Sequence, residues 1–80
     1  MTTLIDQIGE IVGRITLGNT TTVDRDTVLS DIGVDSMDMV ELVMSLENIF
    51  GIQFDDADFL SFTRVGDILD CLKEKHNIQE

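Results

Sequence analysis

Ser36 is the residue of this chain with the most chemistry open to it. It stands in Val34-Asp35-Ser36-Met37-Asp38, just behind Gly33 and at the head of an apolar-periodic stretch. Two roles suit a serine there. As an N-cap it would satisfy a helix N–H, whereas an exposed hydroxyl at a helix N-terminus favours an attached phosphate. A Ser-His-Asp hydrolase needs a histidine held against the nucleophile. The one histidine, His76, reads as a solvated end-of-helix residue, and the surroundings of Ser36 form no G-x-S-x-G elbow. One cysteine, Cys71, and one histidine leave zinc short of its usual ligands, so no metal site is expected. Asp24-x-Asp26 and Asp56-x-Asp58 resemble the opening of a calcium loop, but each fails at the third ligand, where Val28 and Leu60 stand. No self-sufficient active site emerges, and the chain reads as something other than an enzyme.

The elements that must position Ser36 follow from periodicity. Leu4, Ile8, Ile11, Val12 and Ile15 form one helical stripe, with Thr3 as its cap and Gly18-Asn19 as its stop. Gly9 and Gly13 cost that helix about 1 kcal/mol each against alanine. Their spacing is that of a membrane dimer motif, but the segment is too polar, so close packing or a merely tolerated cost is the expected reason. From Gly18 to Asp35 no period dominates, and Val23, Val28, Leu29 and Ile32 predict a long first loop packed over the core. A second helix is predicted from Ser36 to Phe50, ended by Gly51. Its core face carries Met39, Leu42, Val43, Leu46, Ile49 and Phe50. Met37, Val40 and Met44 fall on the opposite side, where a surface helix should be polar. They are either scattered exposed apolar residues or a docking stripe at i, i+3, i+7 spacing. A single helical turn is predicted over Asp55–Ser61, then a last helix from about Arg64 to His76, capped by Thr63. The fold class is therefore all-α: a small bundle of three main helices plus one short helix, with a long first loop.

Composition narrows the partners. Eighty residues make one domain over residues 1–80, and 42% apolar content is enough for it to fold. Five basic against sixteen acidic residues leave a net charge of −11, which repels phosphate backbones and anionic lipid. No nucleic-acid and no membrane partner is expected, and natural partners should carry basic patches. Between Arg25 and Arg64 lie nine acids and no base, centred on Ser36. A lone thiol and the lack of a cationic, apolar leader predict the cytoplasm, and a monomer is expected.

The run from Leu29 to Phe50, with G-x-D-S-[LM]-D followed by Val-Glu-Leu-Val-Met, resembles the signature segment of acyl carrier proteins. The likeness extends more weakly over nearly the whole chain, including Thr63-Arg-Val-Gly-Asp67. It implies that Ser36 bears 4′-phosphopantetheine, transferred from coenzyme A, whose thiol carries acyl groups as thioesters. It further implies a freestanding carrier for fatty-acid or polyketide-type synthesis, with a phosphopantetheinyl transferase and acyl-transfer enzymes as partners. Asp35 and Asp38 match the acids beside the modified serine. Glu41 and Glu47 match docking acids, and Met37, Val40 and Met44 match the apolar docking stripe. Leu46, Phe54, Phe62 and Ile68 match positions lining an acyl cavity; at Phe54 and Phe62 smaller aliphatics are usual. The alternatives are a peptidyl or aminoacyl carrier, which usually shows Gly-Gly before the acid, and an unmodified acidic adaptor or ion-binding module.

Overall fold

A computed structural model describes residues 3–16 and 22–78. The first helix, α1, spans Leu4–Thr16, and Thr3 Oγ1 accepts the Asp6 N–H at 3.1 Å as the expected cap. Leu4, Ile8, Ile11 and Val12 are buried, as are Gly9 and Gly13, which fits the close-packing reading of the two glycines. The expected stop at Gly18-Asn19 lies outside the described residues. Helix α2 spans Ser36–Phe50 and ends at Gly51, α3 spans Asp56–Ser61, and α4 spans Val65–His76. Among the described residues no strand forms; extended backbone pairs only in an isolated antiparallel bridge between Val28 and Arg64.

One apolar cluster draws on every helix and the first loop. Ile8, Val12, Leu42, Leu46, Val65, Ile68, Leu69 and Leu72 are its fully buried side chains. Each such burial contributes roughly 1.5–3 kcal/mol relative to exposure, and α1 packs against both α2 and α4. On α2, Leu42, Val43 and Leu46 are buried, and Met39 and Phe50 pack against the cluster. Ile49 differs from expectation. It is 51% exposed and stands at the edge of the apolar arc in the last turn of the helix.

The first loop, from residue 22 onward, packs over the core. Val23 and Leu29 are buried, and Leu29–Ile32 form a 3₁₀ turn closed by Gly33 at φ 92°, a left-handed conformation that glycine adopts without strain. The loop also finishes α4. Helix starts leave N–H groups without internal acceptors. Here Thr27 and Arg25 supply carbonyl oxygens to the N–H groups of Val65 (3.0 Å) and Gly66 (2.9 Å). Thr63 is the cap expected from sequence, but Arg64 holds the N-cap position, and Asp67 Oδ2 accepts the N–H groups of Thr63 and Arg64, each at 2.9 Å. Gly66 has a steric reason to be glycine: a Cβ would lie 2.9 Å from the Arg25 carbonyl oxygen. Arg25 also reaches Asp70 at 2.6 Å, and Arg64 donates to the Asp26 carbonyl at 3.1 Å. These bonds pin the loop, and with it the approach to Ser36, against α4.

Candidate functional site

The start of α2 is built by a pair of aspartates. Asp35 is the N-cap: its Oδ1 accepts the Asp38 N–H at 2.8 Å, while Asp38 Oδ2 accepts the Asp35 N–H at 3.2 Å. This reciprocal box relieves Ser36 of the capping role that sequence left open to it. Ser36 is the first helical residue and is exposed. The box engages the N–H groups of Asp35 and Asp38; those of Ser36 and Met37 have no protein acceptor among the described residues. A hydroxyl, two N–H groups and the positive end of a 15-residue helix therefore coincide.

Beside them lies an open groove of about 470 Å³. Asp35 and Ser36 line one part of it, and Leu29, Val34, Met39, Phe59, Leu60 and Phe62 supply apolar walls. Leu60, noted in the sequence only as the residue that breaks a calcium-loop pattern, is 80% exposed and borders this groove. Its only sequence signal is a large apolar residue in a one-turn, acid-opened helix, too short to show a period.

The outer face of α2 emerges as expected. Met37, Val40 and Met44 are 79%, 47% and 58% exposed, so the three share an uncovered apolar strip, with Glu41 exposed on the same helix. Glu47 is different. It is half-buried, and its Oε2 accepts the Phe54 N–H at 2.8 Å, so this acid ties the segment after α2 back to the helix.

The four residues matched to an acyl cavity do not share one opening. Leu46 and Ile68 are wholly buried core. Phe54 meets Phe62 edge-to-face, with ring centroids 5.5 Å apart, and of the four only Phe62 lines the groove beside Ser36.

At the other end of α3 stands a polar cluster that the sequence did not foretell. Asp58 is 6% exposed and forms an ion pair with Lys75. The Lys75 hydrogen bond holds its carboxyl below the usual range against the opposing cost of burial, with help from the Asp55 backbone. The same bond raises Lys75. Burial, reinforced by the Asp58 charge, pushes the neighbouring Cys71 thiol up to about 11. His76, expected to be solvated, is instead half-buried against Phe54 at 5.4 Å, and its Nε2 has no hydrogen-bond partner. The aromatic at position 54 draws the ring inward.

An exposed serine at a helix start beside an apolar groove suits attachment of a group better than reaction chemistry of its own. The family model described as "Phosphopantetheine attachment site" matches residues 3–72, and the chain belongs to that family. Among its relatives is an acyl carrier protein of Thermotoga maritima, 44% identical over 48 residues, covering 60% of this chain and 59% of that protein. Acyl carrier protein 1, chloroplastic, of Spinacia oleracea is 37% identical over 75 residues, 89% of this chain and 54% of that protein. An acyl carrier protein of Chloroherpeton thalassium is 38% identical over 65 residues, 81% of each. The chain thus spans between half and three-fifths of the first two relatives and most of the third.

The family implies covalently bound 4′-phosphopantetheine, and the residues present suit it. A phosphodiester needs an accessible hydroxyl with N–H donors nearby, and the arm needs a lane beside it. Ser36 and its groove offer both. These relatives are all named as acyl carrier proteins. Among the described residues no helix is long and apolar enough to cross a membrane.

Proposed function

We propose that this chain is an acyl carrier whose Ser36 Oγ bears 4′-phosphopantetheine, serving fatty-acid or polyketide-type synthesis. The observation that carries the reading is the exposed Ser36 at the first position of α2, freed from capping by the Asp35–Asp38 box. The thiol of the bound group supplies the thioester chemistry. The chain's own residues present and orient. Ser36 provides the oxygen of the phosphodiester, and the first-turn N–H groups and helix dipole stabilise the phosphate charge. The apolar walls of the groove shelter an uncharged arm or the first carbons of a cargo.

Partner enzymes dock on the outer face of α2. Met37, Val40 and Met44 supply apolar contact, and Asp38 and Glu41 supply charge that steers basic surfaces. Glu47 contributes less, since it is committed to Phe54. The buried free thiol of Cys71 suits a reducing compartment such as the cytoplasm.

Incubation with coenzyme A and a broad-specificity phosphopantetheinyl transferase, read by intact mass, tests the site. One phosphopantetheine should be added to the wild type and none to Ser36→Ala. An unmodified wild type, or modification that persists in Ser36→Ala, overturns the assignment. In the same assay Glu41→Lys should slow loading through association rate, most strongly at low salt.

A further inference from the structure

We propose that Asp58, Cys71 and His76 form a binding site for a borderline-soft divalent ion of the zinc class, one that clamps α3 onto α4. The lone cysteine and the lone histidine of this chain lie together, and a buried carboxylate from another helix joins them. One ligand atom from each of the three residues lies within 4.8 Å of the other two. Tetrahedral bonds of about 2.0–2.3 Å separate ligands by roughly 3.3–3.8 Å, so side-chain adjustments of about an ångström close the set. Sulfur, imidazole nitrogen and carboxylate oxygen are the donors that zinc accepts. Calcium and magnesium want oxygen alone.

Two further observations favour an ion here. His76 Nε2 is buried with no hydrogen-bond partner, an arrangement that costs free energy until the ring finds an acceptor or a metal. An open pocket of about 250 Å³ leads to Asp58 and Cys71, with Glu74 on its wall as an acid not engaged by Arg25, as Asp70 is, or by backbone N–H groups, as Asp67 is. Lys75 holds Asp58 in the meantime as a resident positive charge. Binding transfers the Cys71 proton to solvent, displaces Lys75 from Asp58 and changes no oxidation state. Three protein ligands leave the fourth position to water from the pocket.

This inference is independent of Ser36, and its test uses the untagged full chain as Ser36→Ala, so that Cys71 is the sole thiol. Titration with Co²⁺ should produce a near-ultraviolet thiolate-to-cobalt band with visible tetrahedral bands, and Zn²⁺ should erase both. Cys71→Ser should lose the thiolate band. His76→Gln should weaken binding of either metal, and Lys75→Ala should tighten it several-fold by releasing Asp58. Zn²⁺ should also raise the melting temperature beyond the effect of Mg²⁺ at equal ionic strength. Should Cys71→Ser fail to fold, the opposed effects of His76→Gln and Lys75→Ala still decide. Absence of a thiolate band at saturating Co²⁺, or equal zinc stabilisation in the parent and His76→Gln, overturns the site and reduces the ions to screening of surface acids.

Discussion

Asp35-Ser36-Met37-Asp38 and Asp55-Asp56-Ala57-Asp58 build the same device at the starts of α2 and α3. In each, the first aspartate accepts the N–H of the last at 2.8 Å, and the last accepts the N–H of the first, at 3.2 Å in α2 and 3.4 Å in α3. The surroundings separate them. Asp38 is half-exposed on a face with no base near it in sequence, whereas Asp58 is buried, paired with Lys75 and set beside Cys71. The same local box thus serves outward presentation at one helix and internal anchoring at the other. It also frees the residue behind each cap: an unencumbered hydroxyl at Ser36, a solvated carboxylate at Asp56.

The sharpest way to break this comparison is to delete the second acid of each box. Asp58→Ala should cost about 2 kcal/mol in urea unfolding, because it removes a charged, buried hydrogen-bond partner. Asp38→Ala should cost less than about 1 kcal/mol, since water replaces an exposed acceptor. Equal losses would mean that burial of Asp58 adds nothing. The first acids should behave alike instead. Asp35→Ala and Asp55→Ala should each lose about 1 kcal/mol as N-caps, with any inequality showing that the boxes are not locally equivalent.

A third test uses pH, in metal-free buffer. Asp58 is lowered by Lys75 in the folded protein, so its contribution is present above the unfolded value of about 4 and is lost as pH falls through the folded value. Lys75 is raised, so its contribution is present below about 10.4 and is lost as pH rises through the folded value. The melting-temperature gap between wild type and Lys75→Met should therefore be full between those limits and close beyond both. Salt should narrow it, because the lysine is half-exposed. A gap that persists at pH 2 would assign it to packing of the lysine stem. The smallest effect belongs to Ser36→Ala. Stability should stay within about 0.5 kcal/mol of wild type, and a larger loss would show that Ser36 shares the capping of α2.

Much of this molecule was legible in the residues themselves, where the information is local. The stripe Leu4-Ile8-Ile11-Val12 and the bounds of α2 depend on side-chain period and on stop residues such as Gly51, which act within a few positions. The exposed strip of Met37, Val40 and Met44 followed from the same geometry, and the match around Ser36 singled out the residue proposed for attachment. Tertiary structure alone decided matters that join distant positions. Carbonyls of Arg25 and Thr27 finish α4, some forty residues away, so Thr63 had no cap left to make. Glu47 turned from a surface acid into a tie for Phe54, and Ile49 fell outside the core that its period suggested. His76 was drawn against Phe54, and Asp58 came to Cys71 and Lys75, because α3 and α4 meet in space. Period and capping are set by bonds between near neighbours, whereas burial and charge pairing depend on which surfaces the packed helices bring together.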